Sequence, residues 1–249
     1  MSGHSKWSTI KRKKAAADAK RGAVFTRVIK EITVSARLGG GDPTANPRLR
    51  VAIGQARGAN MPQANIDRAI KKGTGELPGV RYESATYEGY GPGGAAILMD
   101  VYTDNKKRTV ADIRHLMTKY GGNLGESGSV AWQFENRGIL TVPADEVSEN
   151  DLFEAAIEYG AEELDQEDDL FIISAAADQV YDLQEALKAR DFTVDSVEVG
   201  LEPTSTVTVE ASDARKLLQL LNALDELEDI QKVYSNCDIA EEDLASFAS

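Results

Sequence analysis

The residues of this sequence best suited to chemistry are cations. Met1 to Gly75 holds sixteen Lys and Arg against four Asp and Glu, a local charge near +12 in a 249-residue chain that carries −13 overall. A solvated helix face usually mixes the two signs, and an excess of this size sets up a positive field that attracts phosphate backbones. Seven of these cations, Lys6, Lys11, Arg12, Lys13, Lys14, Lys20 and Arg21, crowd around Trp7 and Ile10. Trp7 has two uses open to it, stacking on an unpaired base or packing against neighbouring helices. Arg27, Lys30 and Arg37 follow, then Arg48, Arg50 and Arg57, then Lys71 and Lys72. No base-reading pattern accompanies them, so the expected contact is with nucleic-acid backbone, salt-sensitive and weakly specific. A second cluster, Lys106, Lys107 and Arg108, precedes a helix that Thr109 is expected to cap, with Asp112 three residues on. Free amides, the helix dipole and three cations would hold a phosphate there; a flexible surface turn is the alternative.

Other chemistries find no purchase. His4 and His115 are the only histidines and Cys237 the only cysteine, so neither a zinc set nor an internal disulfide can be assembled. Cys237 is expected to be a plain structural thiol, and His115 a surface residue. Gly89-Tyr90-Gly91-Pro92-Gly93-Gly94 fits a dinucleotide-loop spacing, but it precedes a strand where such a loop must follow one, so it reads as a turn. No Walker A pattern and no nucleophile elbow occur, and the carboxylates of the acidic C-terminal half follow no catalytic spacing. The expectation is a binding protein, not an enzyme, with no metal, no cofactor and no small-molecule substrate.

The elements that must carry these cations can be read from periodicity. Residues 1–22 have too few apolar groups to bury a face and read as an arm. Phe25, Val28, Ile29, Ile32 and Ala36 mark a first helix, stopped by Gly39-Gly40-Gly41. Asn46 as cap, Pro47 in the first turn and the stripe Leu49, Ala52, Ile53, Ala56 mark a second, ending at Gly58. A third is expected to open at Asn60 with Gln63 as capping-box partner and to pack Ile66, Ala69 and Ile70. Beyond Gly79 the pattern predicts strand 95–103, helix 110–120 and strand 130–134. It then predicts strand 139–142, helix 149–159, strand 170–174, helix 180–188 and strand 192–199, and last strand 206–209, helix 215–227 and strand 233–239. The fold class expected is α+β in three domains: a three-helix bundle and two ferredoxin-like (split βαβ) α/β domains, one inserted in the other. The boundaries are 1–79, including the arm; 80–135 with 204–240; and an acidic insertion at 136–203. Residues 136–249 carry six Lys and Arg against twenty-nine Asp and Glu. That acidity is expected to keep the chain soluble, with docking on basic proteins as the alternative.

Several long blocks carry a family resemblance: GHSKW at Gly3 to Trp7, NPRLR at Asn46 to Arg50, MPQANIDRAIKKG at Met61 to Gly73, YEGYGPGG at Tyr87 to Gly94, TDNKKRT at Thr103 to Thr109 and GGNLG at Gly121 to Gly125. In the same order along the whole chain, they resemble the YebC family. The resemblance implies a cytoplasmic protein with a helical N-terminal domain and two α/β domains. It also implies a regulator of gene expression, described for some members as acting on promoter DNA. Others, including a mitochondrial relative that activates translation, act at the ribosome and relieve stalling at proline-rich stretches. The resemblance brings no catalytic residues.

Physical reasoning ranks these roles. No helix-turn-helix and no dimer element is evident, and a lone basic module reads promoters poorly, whereas a ribosome offers dense, shaped phosphate. A ribosome-associated translation factor is therefore the first expectation, a DNA-binding transcriptional regulator the second and an undetected enzyme the third. No run is long and apolar enough for a membrane span, and the polar, basic start lacks a secretory or import signal, so the expected address is the cytoplasm.

Overall fold

A computed structural model of the chain describes residues 21–145, 147–167 and 169–240. Three helices come first: α1 (Arg21–Gly39), α2 (Pro47–Gly58) and α3 (Gln63–Thr74). Their stripes Val28, Ile32, Ala36; Leu49, Ala52, Ile53, Ala56; and Ile66, Ala69 close one apolar core. Asn46 explains how two of them join. Its side-chain oxygen accepts from the Leu49 N–H at 3.1 Å, and its amide donates to the carbonyls of Ser35 at 2.9 Å and Gly40 at 2.8 Å. One buried residue thus caps the start of α2 and satisfies carbonyls at the end of α1. α3 opens differently from expectation. Pro62 precedes it without a side-chain cap, Asn60 stands in a left-handed turn at φ 57°, and Gln63 donates to Asp67. α3 crosses α1 so closely at Gly73 that a β-carbon there would lie 2.5 Å from the Thr33 carbonyl oxygen, which only glycine permits.

The first sheet begins with a strand that has no apolar alternation, β1 (Glu83–Tyr90), paired over eight residues with β2 (Ala96–Thr103). The glycine-rich segment between them is the expected turn, with a short 3-10 segment and Gly93 and Gly94 at positive φ. Then come α4 (Lys106–Lys119), β3 (Asn123–Leu124) and, far along the chain, β8 (Val207–Thr208), α7 (Ala211–Asp225), β9 (Ile230–Ser235) and β10 (Cys237–Asp238). Strand order is β3-β1-β2-β9, so β1 lies between the two strands that α4 connects, which is the split βαβ arrangement. β8 and β10 pair separately in parallel. α4 and α7 pack Ile113, Met117, Leu217, Leu218 and Leu221 on Ile97, Met99 and Val101 of β2. Cys237 is buried in that core. The predicted strand 130–134 is a 3-10 turn followed by the start of a strand in the other sheet.

The second sheet is built from β4 (Phe134–Pro143), α5 (Glu149–Glu158), β5 (Ala161–Glu167), β6 (Leu170–Ala176), α6 (Val180–Ala189) and β7 (Ser196–Pro203). All its pairings are antiparallel and its order is β5-β6-β4-β7, the ferredoxin-like connectivity. Its core gathers Leu140, Val142, Leu152, Phe171, Ile173, Leu183 and Leu187 between the sheet and both helices. The chain divides into two compact units, one spanning Trp132–Thr206 and the other holding the bundle and the first sheet. No helix among the described residues is long and apolar enough to cross a membrane.

Candidate nucleic-acid interface

The structure sorts the cations of the bundle by the side of the helix on which they stand. On the inner side, Lys30 of α1 is 4% exposed. Its ammonium meets the Asp229 carboxylate at 2.9 Å and donates to the carbonyls of Glu228 at 2.7 Å and Tyr102 at 3.4 Å. The Tyr82 ring lies 5.4 Å away. One turn earlier Arg27 reaches Asp225 at 3.4 Å, and two turns later Arg37 donates to the Tyr82 carbonyl at 2.8 Å. Arg48 of α2 pairs with Glu31 at 2.7 Å and bonds the Tyr102 hydroxyl. Burial alone would raise the Glu31 carboxyl, but the bonds and charge of Arg48 outweigh it and lower it. Four residues expected to grip phosphate therefore tie the bundle to the first sheet. Lys30 in particular offers nothing to an outside ligand, because its charge is buried and matched.

Asp229, in the turn between α7 and β9, is the centre of this arrangement. Besides Lys30 it accepts from Thr109 at 2.7 Å, Arg108 at 2.9 Å and Thr103 at 3.1 Å. Burial pushes its carboxyl up, but the bonds from Arg108, Lys30 and Thr109 prevail and hold it down to about 2. These groups border an open cleft of about 440 Å3 whose rim also carries Asp104, Asp112 and Glu228, so the cleft is acidic and repels phosphate.

The second cationic cluster is reshaped by the same carboxylates. Asn105, not Thr109, caps α4, accepting from the Arg108 N–H at 3.2 Å. Thr109 is buried, with its hydroxyl on Asp229. Lys106 pairs with Glu83 at 2.7 Å, and Arg108 with Asp104 at 2.8 Å and Asp229 at 2.9 Å. Lys107 alone of the three is exposed without an ion pair among the described residues.

On the outer side the account differs. Arg50 and Arg57 of α2 and Lys71 and Lys72 of α3 are exposed and form no ion pair among the described residues. Arg50 and Arg57, seven residues apart, fall on one flank of their helix. Arg68 belongs with them, exposed and unmatched one turn before Lys71 and Lys72, and its i, i+3 and i+4 spacing was visible in the sequence. Lys6, Trp7, Lys11, Arg12, Lys13, Lys14 and Lys20 lie outside the described residues, and Arg21 is described only as the first residue of α1.

The inserted unit carries acids where the bundle carries bases. The face of its sheet away from the helices aligns Asp165, Ile172, Thr141 and Ser196 in one row and Glu163, Ser174, Ile139 and Glu198 in the next. Sheets of this architecture that bind RNA do so with aromatic side chains on that face; here three of the four row ends, Asp165, Glu163 and Glu198, are acidic, and Ile139, Thr141, Ile172 and Ser174 between them are buried. Among the described residues no group of three or more His, Cys, Asp or Glu could hold a metal ion.

Comparison with known proteins agrees across nearly the whole chain. The family profile described as TACO1/YebC protein N-terminal domain matches residues 5–76, and that described as TACO1/YebC second and third domain matches residues 82–237. A "Probable transcriptional regulatory protein" of Geotalea uraniireducens is 52% identical over 244 residues, covering 98% of each chain. Another of Sulfurihydrogenibium is 53% identical over 243 residues, covering 97% of each, and one of Syntrophobacter fumaroxidans is 51% identical over 249, covering 100% of each. The crystal structure of a conserved hypothetical protein from Aquifex aeolicus superposes with a TM-score of 0.82 at 47% identity, covering 90% of this chain and 92% of that one. With a bundle, a split sheet and a ferredoxin-like insertion in this order, the chain belongs to the TACO1/YebC family.

Proposed function

We propose that this protein is a nucleic-acid-binding regulator of gene expression that works in the cytoplasm on the ribosome, as a translation factor relieving stalling at proline-rich stretches. The observation that carries the nucleic-acid part is the set of exposed, unmatched cations Arg50 and Arg57 on α2 and Arg68, Lys71 and Lys72 on α3. Inner cations fix the bundle on the first sheet, so the outer ones are presented from a firm mount. Guanidinium and ammonium groups displayed without a recognition helix suit the shaped phosphate surface of folded RNA better than a base sequence. The stall-relieving role rests on the family resemblance.

A second reading, promoter-specific DNA binding, is favoured by the name the curated relatives share, "Probable transcriptional regulatory protein". Co-sedimentation with ribosomes across a salt series separates the two. Intact protein should travel with ribosomes at low salt, and changing Lys11, Arg12, Lys13 and Lys14 to Ala, or Arg57, Lys71 and Lys72 to Ala, should release it. Each lost phosphate contact should lower the salt slope by roughly one. Failure to co-sediment, together with a specific shift of one promoter duplex over scrambled sequence, would hand the function to the DNA reading.

A further inference from the structure

The unit spanning Trp132–Thr206 carries twenty Asp and Glu against three Lys and Arg. Its helix α5 holds four acids and no base in ten residues, and buries Leu152, Ala155 and Ala156. On the opposite side Phe153 and Ile157 stand 49% and 45% exposed. Four residues apart, the two side chains lie one above the other and make a continuous apolar ridge. Helical geometry puts Glu149 along one margin of the ridge and Glu154 and Glu158 along the other. Single exposed apolar residues need no explanation, but a Phe and an Ile side by side serve neither the core, which is closed without them, nor solubility. The unit already shows what such a margin attracts: Arg190 pairs with Glu158 at 3.1 Å and lies over the Tyr159 ring at 5.7 Å.

We propose that this face of α5 is a docking surface for a basic, amphipathic segment of a partner protein. An apolar side chain of the partner covers Phe153 and Ile157, and its flanking Lys or Arg residues meet Glu149 and Glu154. Charge complementarity selects this occupant. Nucleic acid and anionic membranes are repelled by the unit's field, and a second copy of the chain would bring acidic margins against acidic margins. The inference goes beyond the nucleic-acid reading and does not depend on it, since no cation of the bundle takes part.

The test uses the full-length protein and two fluorescent synthetic peptides of one Leu and Lys composition, one patterned to place Leu along a single helical face and one scrambled. Fluorescence anisotropy should give the patterned peptide an affinity about tenfold tighter than the scrambled one, falling as salt rises. Changing Phe153 and Ile157 together to Ser should erase that ratio with far-UV circular dichroism and melting temperature retained. Glu154→Gln keeps the apolar ridge and should weaken both peptides. Equal binding of the two peptides, or a preference that survives the serine changes, would reduce the surface to a general acidic field and overturn the proposal. Sedimentation equilibrium supplies the last arm: self-association abolished by the serine changes would make a second copy the occupant, and the proposal would fall.

Discussion

Replacing Asp229 by Asn is the sharpest probe of how the bundle is held. The substitution keeps the shape of the side chain but removes the charge that faces Lys30 at 2.9 Å and Arg108 at 2.9 Å. Arg108 is half-exposed and can turn to Asp104, which it already contacts at 2.8 Å. Lys30 cannot move into water; it keeps the Glu228 and Tyr102 carbonyls but loses its counter-charge. Removing one partner of a buried pair costs about 3–5 kcal/mol, and the hydroxyls of Thr103 and Thr109 also lose a charged acceptor. At about 2–4 °C per kcal/mol for a unit of this size, the melting temperature should fall by roughly 10 °C. The readout is thermal and urea unfolding followed by circular dichroism, with Lys30→Met made alone and in the Asp229→Asn background. Lys30→Met in that background removes the orphaned charge, so the two losses should fall short of additivity by about 1.5 kcal/mol or more. The sign of the pH dependence is also determined. A carboxyl held at about 2 instead of its ordinary 3.8 contributes fully above pH 4, and that contribution disappears as pH falls from 3.8 toward 2. Asp229→Asn should therefore be less sensitive to acid over that window than the parent. A melting temperature within about 1 °C of the parent, with strict additivity, would refute the claim that this hub holds the bundle.

Further outcomes follow from other close contacts. Glu88 is buried and accepts from the backbone N–H of Gly128 at 2.7 Å, Val130 at 2.8 Å and Ala131 at 2.8 Å. Glu88→Gln puts an amide donor where a carboxylate oxygen accepted, so a loss of about 2 kcal/mol and faster proteolytic nicking within residues 125–131 are expected. Burial would raise the Glu88 carboxyl, but the three amides lower it, so its contribution is complete above pH 4.5 and fades as pH falls below that. Two helical glycines should respond with opposite signs. Gly73→Ala forces a β-carbon against the Thr33 carbonyl and the Ala36 β-carbon and should cost about 1–3 kcal/mol in urea unfolding. Gly54→Ala, with nothing within 4 Å, should stabilise by about 0.5–1 kcal/mol.

What the sequence determined by itself is what short-range chemistry decides. The limits of α2 follow from Asn46, Pro47 and the four-residue stripe through Ala56, because capping and helical periodicity act within a turn or two. β2, eight residues of which seven are buried, announces itself by composition. β1 does not: Glu-Ser-Ala-Thr-Tyr-Glu-Gly-Tyr has no apolar period, and it is a strand because eight residues register against β2. β5 is equally hidden, an acidic edge whose Ala161 and Leu164 meet the core while Glu162 and Glu163 are exposed. The cations show the same division. Lys30 and Lys71 are alike in local sequence terms, each a lysine on an amphipathic basic helix. One is a buried strut and the other an exposed charge, because Lys30 meets a carboxylate 199 residues away in the chain. Charge excess is a property of composition and can be counted. Whether each charge is matched depends on a pairing that only the tertiary fold brings within 3 Å.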